Sequence, residues 1–268
     1  MEQAIVQAIN DHKYRQTNNT PVMSTLLPDF GFLGSTAGCQ DILRGLYVPC
    51  FPIDHYTSTL IKELRKPPNI PPISTEYTAL DYSAGWAKMK EQATAGLSGI
   101  HFSHHKACGQ NPFLAQFEAL MCSIPYQTGY SPHRYKLSVN AMLLKKQNKL
   151  EADQLRTILL LEADFNHMNK KLGRDLMAQA EKFQMIAPEQ FGSRKHHSCI
   201  DQVIVKKLYY DALQILRING FLCSNDAKSC YDRITHSVVS LAMQRVGMPI
   251  EPIVSMLASL QDMEHHVK

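Results

Sequence analysis

Four closely spaced prolines divide the chain into two parts. The sequence PPNIPP places them within six positions, at Pro67, Pro68, Pro71 and Pro72. Proline fixes its own φ angle and lacks a backbone N–H, so this stretch cannot form a helix and favours an extended polyproline spacer. We therefore predict that an irregular, proline-containing N-terminal segment (residues 1–73) ends here, and that regular structure begins at Ser74.

The composition is that of a folded chain with a sizeable core. Of the 268 residues, 44% are hydrophobic and 19% are charged, which excludes collagen-like, mucin-like and fully disordered chains. No apolar run approaches the roughly 18–20 residues that cross a bilayer, and the longest, TILLLEA, is interrupted by Glu162. The N terminus lacks the basic and apolar regions of a secretory signal. We therefore expect an intracellular chain without a membrane partner.

The seven cysteines argue against a disulfide framework. Their number is odd and no C-x-x-C pair occurs, so we interpret them as reduced thiols. Metal binding by His196, His197 and Cys199 is an alternative. Because adjacent side chains rarely converge on one ion, surface or phosphate-facing histidines are the favoured interpretation.

Strands and helices alternate in the second part, which indicates an α+β fold. Helices are predicted from Ser74, at 113–123 with Pro125, Gly129 and Pro132 closing it, at 163–183, from Ser198 to Asn219, and in two further segments, HSVVSLAMQRVGMP and EPIVSMLASLQDM. The apolar run LRTILLLE (155–162) predicts a buried strand, and FLCSN (221–225) predicts a short strand that ends at Asp226. The segment between the third and fourth helices, APEQFGSRKHH, predicts a loop.

Positive charge is concentrated in one region. Residues 131–195 hold twelve basic and seven acidic residues, whereas the net charge of the whole chain is only +4. Such a cluster suits phosphate contact, because each neutralised phosphate releases counterions. Solvated helix faces explain a surplus of this size equally well.

The segment FLCSNDAKSCYDRI (221–234) carries the most informative pattern. A carboxylate at the end of a strand can hold Mg²⁺, which proteins usually bind with one or two carboxylates plus substrate phosphates, and Asp226 occupies that position. The pattern alone favours a purely structural interpretation, a strand end followed by a helix whose first turn is stabilised by Asp232.

Four segments in order resemble the reverse transcriptase domain of non-LTR retrotransposons. They are GYSPHRYKLSVNAMLLKK (129–146), LRTILLLEADFNHMNKKLGRDL (155–176), PEQFGSRKHHSCIDQV (188–203) and NDAKSCYDRITHSVVSLAMQRVGMP (225–249). The upstream SGIHFSHHKA (98–107) is similar to the short segment that precedes this domain. The resemblance implies a helical region at 74–128, followed by polymerase fingers and the start of an incomplete palm at 129–268.

The resemblance also implies roles for single residues. Asp226 matches the first metal-binding carboxylate of the palm, and Tyr231 matches the aromatic residue that lies under the sugar of the incoming nucleotide. Arg156 matches the fingers arginine that grips the triphosphate, a task suited to a planar guanidinium. The loop that faces template and nucleotide is matched by Gln190, Gly192 and Arg194.

Further contacts with nucleic acid are expected from Lys145, Lys146 and Lys195, and Asp232 is interpreted as a structural residue. The sequence departs from the family pattern in the nucleotide pocket, at Thr157, Ser193 and Cys230.

The family resemblance implies Mg²⁺ as the cofactor, and an RNA template, a DNA primer and dNTP as partners, in the nucleus or the cytoplasm. Two-metal nucleotidyl transfer in the family uses further carboxylates from an aromatic-x-Asp-Asp hairpin, and no Asp-Asp pair occurs in these 268 residues. We therefore expect the chain alone to be inactive as a polymerase and to bind the metal weakly or not at all.

Two alternatives stay open. One is a non-catalytic nucleic-acid-binding remnant or scaffold that keeps the basic fingers, and the other is an unrelated α+β metabolic protein. The polymerase fragment and the remnant predict salt-dependent binding to an RNA–DNA hybrid, whereas the metabolic protein predicts none.

Overall fold

The computed structural model describes residues 28–91, 96–145, 155–225 and 234–267, which mix helices with a small sheet. The strands are β1 (Leu137–Leu144), β2 (Leu155–Leu160) and β3 (Glu264–Val267), and a 3-10 turn at His133–Lys136 precedes β1. The helices are α1 (Ala37–Arg44), α2 (His55–Glu63), α3 (Ala79–Ala87), α4 (Phe102–Cys108), α5 (Pro112–Thr128), α6 (Ala163–Lys182), α7 (Cys199–Leu216), α8 (His236–Arg245) and α9 (Ile250–Gln261). No helix in these ranges is long and apolar enough to span a bilayer.

The strands form one sheet in the order β2-β1-β3. β1 pairs antiparallel with β2 and parallel with β3, where Leu137 lies opposite Glu264. Within the described residues β2 has a neighbour on one side only, and three of its side chains are exposed, those of Arg156, Ile158 and Leu159. The run does form a strand, but the prediction that this strand is buried is wrong, because an apolar run does not reveal how many neighbours a strand has. The sequence did not predict β3.

The larger core lies between α3, α5, α6 and α9. Three aromatic side chains from α3 and α5 are at most 1% exposed and fill its centre: Tyr82, Trp86 and Tyr126. Apolar residues at helical spacing close it from the other two helices, namely Met168 and Leu172 from α6 and Ile253 and Leu257 from α9. The amphipathic helix predicted at 163–183 is thus confirmed, and its apolar stripe faces this core.

A smaller core forms where the sequence predicted irregular structure. α1 and α2 lie there, and each begins at a side-chain cap: Thr36 accepts a hydrogen bond from the backbone N–H of Cys39, and Asp54 accepts from those of Tyr56 and Thr57. Their apolar faces pack with α8 through a cluster formed by Phe30, Cys39, Ile42, Leu43, Ile61, Leu64 and Leu241. These helices are too short to show a clear apolar periodicity, so their N-cap residues are the only sequence signals that predict them.

The proline-rich stretch contains no helix, as predicted, and crosses the surface of the domain. The side-chain amide of Gln179 on α6 donates to the carbonyl of Pro71 at 2.8 Å, and the backbone N–H of Ile73 donates to the carbonyl of Gly247 at 2.9 Å. This segment therefore lies against α6 and the turn between α8 and α9.

Two helix ends differ from the sequence prediction. The helix expected from Ser74 begins at Ala79, because Thr78 and Asp81 form a capping box. Pro125 lies inside α5, which continues for one more turn to Thr128 and is ended by Gly129, one of the three residues predicted to close it, with a φ of 75°. A proline near a helix end removes one hydrogen bond, and buried Tyr126 holds that turn against the core.

The last part of the motif region is only partly regular. Ser198 begins α7 in a capping box with Asp201, as predicted, but α7 has no buried residue. Residues 221–225 are not a strand, and Phe221 is 86% exposed. A strand needs a hydrogen-bonded neighbour, and none of the described strands lies beside this segment. The strand prediction there is wrong.

Candidate nucleic-acid and anion-binding site

Several of the residues that the sequence nominates lie outside the described ranges. These are Asp226, Tyr231 and Lys146, together with Cys230 and Asp232. The magnesium and sugar contacts expected from Asp226 and Tyr231 therefore stay predictions.

Two of the nominated cations lie near the same end of the sheet. Arg156 on β2 pairs with Leu143 on β1, and its side chain is exposed. Lys145 follows the last residue of β1 and is also exposed. Because the β1 partner of Arg156 is only two residues from Lys145, this end of the hairpin presents two positive charges to solvent.

The nominated loop residues Gln190 and Arg194 meet in the segment between α6 and α7. The Arg194 Nη1 donates to the backbone carbonyls of Gln190, Ala187 and Pro188 at 3.2–3.3 Å, and its Nε donates to Glu181 at 3.1 Å. Only 16% of this side chain is exposed. Arg194 thus folds the loop around itself, while Gln190 and Lys195 are exposed. Within the described residues no hydrogen bond joins this loop to Arg156.

Sequence reasoning missed a buried charge network at the start of α6. The guanidinium of Arg134 forms a two-pronged ion pair with Asp164, which also accepts a hydrogen bond from Tyr135 at 2.8 Å. Glu162 accepts from the backbone N–H of Ser98 at 3.0 Å and from its hydroxyl at 2.5 Å. Both carboxylates are 1% exposed.

Electrostatics in this network favour the charged form of Arg134. Burial alone would lower the pKa of Arg134, but the carboxylate of Asp164 raises it above its ordinary value. Two carboxylates face one guanidinium, and their oxygens are occupied by protein donors. The network therefore serves the fold, joining the turn before β1 to α6, and offers no open carboxylate for a metal.

Two histidines sandwich the single tryptophan beneath the surface. The ring of Trp86 stacks on His167, with centroids 4.3 Å apart, and on His105, with centroids 4.5 Å apart. His105 Nδ1 lies 3.0 Å from the hydroxyl of Tyr82. Burial lowers the pKa of His105, and burial together with the charges of Arg174 and Lys170 lowers the pKa of His167 to about 4. Both imidazoles are therefore neutral at pH 7.

A cavity of about 340 Å³ opens between α3 and α6 beside this stack. Its walls combine His167 and Tyr77 with four cationic side chains, those of Lys88, Lys170, Lys171 and Arg174. The lining carboxylate, Asp81, is held by Thr78 in the cap of α3. A concave site with this charge attracts anions. The basic residues of α6 are the only feature of the sequence that indicates this cavity, and they indicate it weakly.

The comparisons with known proteins identify no relative: no protein-family model matches this chain, and no curated protein is significantly similar to it. Among the residues that the structure describes, no three His, Cys, Asp or Glu side chains gather as metal ligands would. The alternative of a metal at His196, His197 and Cys199 gains no support there.

Proposed function

We propose that this chain carries part of a retroelement RNA-directed DNA polymerase, comprising a helical region, the fingers and the start of the palm. It binds an RNA template paired with a DNA primer, and the side chains of Arg156, Gln190 and Tyr231 contact the incoming dNTP. Asp226 is the carboxylate proposed to hold Mg²⁺, which when bound with further carboxylates would assist nucleotidyl transfer.

One observation carries the proposal: the first three resembling segments occupy consecutive elements, and each presents basic residues to solvent. The first two form the antiparallel hairpin β1–β2 and α6, and the third forms the loop and the start of α7. Exposed Arg156 and Lys145 near one end of the hairpin provide a surface suited to phosphates.

The runner-up is a non-catalytic nucleic-acid-binding remnant. It is favoured by the lack of an Asp-Asp pair in the 268 residues and by the structural role that Arg194 has in its own loop. It shares the basic hairpin with the polymerase fragment but needs neither Asp226 nor Tyr231.

Binding to a labelled RNA–DNA hybrid tests both the polymerase fragment and the remnant. It is measured by fluorescence anisotropy over a range of salt concentrations. The logarithm of the affinity should fall linearly with the logarithm of the salt concentration, and Arg156→Ala should reduce that slope by about one phosphate contact. Arg44→Ala, which removes an exposed arginine from α1, is the matched control and should leave the slope unchanged. An affinity that does not change with salt concentration would contradict both the polymerase fragment and the remnant, and would favour an unrelated α+β protein.

Binding of a fluorescent dNTP separates the two hypotheses. The polymerase fragment predicts dNTP binding that Arg156→Ala or Tyr231→Ala weakens, whereas the remnant predicts hybrid binding with no dNTP binding. In either case the purified chain should incorporate no dNTP on a primed homopolymer, because the additional carboxylates of the two-metal site are not among its residues.

A further inference from the structure

We infer that the cavity between α3 and α6 is a binding site for a phosphate group. Its lining residues are distinct from those proposed above for nucleotide or hybrid contact, so this inference goes beyond the proposed function. The argument rests on the charge of the cavity, on unpartnered polar groups at its wall and on the space beside Gly85.

The charge of the cavity is strongly positive. Lys171 is paired with Asp175 at 2.9 Å, but Lys88, Lys170 and Arg174 form no ion pair with the described residues. Asp81 accepts from the amide and hydroxyl of Thr78 and contributes one negative charge to the cavity. Beyond the Lys171–Asp175 pair, three cations face this one carboxylate, and the remaining excess of two positive charges attracts an anion.

Polar groups without partners are buried at the same wall. Among the described residues, neither the hydroxyl of Tyr77 nor the Nδ1 of His167 has a hydrogen-bond partner, and each residue is only 4% exposed. Buried polar atoms are rarely left unpaired, since they lose contact with water without gaining a new partner. Burial raises the pKa of Tyr77, so its hydroxyl stays protonated and able to donate.

The absence of a side chain at Gly85 makes room for the imidazole of His167 against α3. A Cβ atom at this position would lie 2.5 Å from the Nε2 of His167 and 3.6 Å from the hydroxyl of Tyr77. Glycine inside a helix is unfavourable relative to alanine. Gly85 thus admits the imidazole close to α3, and the stack of His167 on Trp86 fixes the orientation of that ring.

These features together select the ligand class. Neutral imidazole and phenol donors beside free ammonium and guanidinium groups suit a compact oxyanion with several acceptor oxygens, and a phosphate monoester meets that description. The volume of about 340 Å³ lies at the lower end of the range for small-molecule sites. Either a free small phosphate or the terminal phosphate of a nucleic-acid strand supplies this group.

Titration of the full chain with inorganic phosphate at pH 7 tests the inference, by calorimetry and by the fluorescence of the single tryptophan, which stacks on His167. We expect a dissociation constant of the order of 1 mM or tighter and a change in Trp86 emission. Removing two cations with Lys170→Ala/Arg174→Ala should weaken binding at least tenfold. The matched control Arg44→Ala/Lys62→Ala removes an exposed arginine and an exposed lysine from α1 and α2 and should not weaken it.

A second variant tests the position of His167 in the cavity wall instead of the cationic side chains. Gly85→Ala should displace the imidazole of His167 and weaken phosphate binding with every cation still present, with circular dichroism used to verify the fold. If Gly85→Ala does not fold, the comparison of Lys170→Ala/Arg174→Ala with the control Arg44→Ala/Lys62→Ala still tests the inference. No binding of phosphate by the unaltered chain, or equal weakening in the two double variants, would overturn the inference.

A dinucleotide with a 5′-phosphate and the same dinucleotide with a 5′-hydroxyl distinguish the two sources. Tighter binding of the phosphorylated dinucleotide than of inorganic phosphate supports a strand terminus as the natural ligand. Binding of inorganic phosphate with no gain from the dinucleotide supports a free small phosphate. Hybrid binding through Arg156 is measured separately, so the proposed function and this inference can fail independently.

Discussion

The imidazole of His167 lies against the indole of Trp86, with the ring planes inclined by 19°. α6 supplies the histidine and α3 supplies the tryptophan, so the stack joins a helix with four basic residues to the helix that follows the proline-rich segment. His105 from α4 stacks on the opposite face of the same indole. Three helices therefore meet at one side chain, which makes Trp86 a sensitive point for both stability and spectroscopy.

Trp86→Ala should lower the free energy of unfolding by about 3–5 kcal/mol, because it removes a large buried ring and leaves a cavity between the two imidazoles. Urea denaturation followed by circular dichroism measures the change, since the variant has lost its only tryptophan. Phe113→Ala truncates an aromatic ring that is 87% exposed, and should change stability by no more than about 0.5 kcal/mol. Similar losses in both variants would show that the stack does not stabilise the fold.

The depressed pKa of His167 predicts loss of stability in mild acid. Its pKa falls from 6.5 to about 4 on folding, so between these values the unfolded chain binds the proton and the folded chain does not. Stability contributed by the neutral imidazole is complete above pH 6.5 and is lost as the pH falls toward 4, by about 3 kcal/mol.

Urea midpoints measured from pH 7 to pH 4 should therefore fall less steeply for His167→Asn than for the unaltered chain. His55→Asn, at an exposed position on α2, should keep the original slope. The fluorescence of Trp86 gives a second readout, because a protonated imidazole in contact with indole quenches its emission. Identical pH profiles for all three proteins would refute the assignment.

Arg134→Met should lower the free energy of unfolding by about 3–5 kcal/mol, because it leaves the buried carboxylates of Asp164 and Glu162 without a counter-charge. Arg44→Met is the matched control on an exposed helix end. The loss should shrink when Asp164→Asn is added to Arg134→Met, since the second change removes one uncompensated charge. A double variant less stable than the single one would contradict the network.

The sequence anticipated elements with long periodicity or clear caps and missed features that depend on distant partners. The apolar spacing of Phe165, Met168 and Leu172 predicted α6, and the Ser198–Asp201 cap predicted the start of α7, because both signals lie within one helix. α1 and α2 offer only their short caps, and β3 is four residues long. Its pairing with β1 joins residues more than a hundred positions apart, which no local pattern records.

The candidate site likewise combines residues that local sequence predicts with contacts that depend on the tertiary fold. A resemblance in four segments nominated Arg156, Lys145 and Arg194, and the structure gives the first two exposed positions near one end of the hairpin. Local sequence could not indicate that Arg194 would be surrounded by three carbonyls, because these contacts depend on how the loop turns. The stack of Trp86 between two histidines requires α3, α4 and α6 to meet, so it emerges only from the tertiary fold.

Arg194 offers a test of whether a nominated ligand contact is instead a positioning residue. Its Nη1 donates to the carbonyls of Ala187, Pro188 and Gln190 while its Nε donates to Glu181, and the single nitrogen of lysine cannot occupy both positions. In Arg194→Lys the loop from 187 to 197 should open more readily, and the amide of Gln190, which donates to Ala187, should exchange its hydrogen about tenfold faster.

Hydrogen exchange read by mass spectrometry measures this opening, with Arg44→Lys as the matched control. A positioning role predicts that loop exchange rises together with any loss of hybrid affinity. If hybrid affinity falls while exchange in the loop is unchanged, Arg194 contacts the ligand directly and its carbonyl contacts must be given up on binding. The two results separate a residue that shapes the nucleotide-facing loop from one that leaves the loop to grip a phosphate.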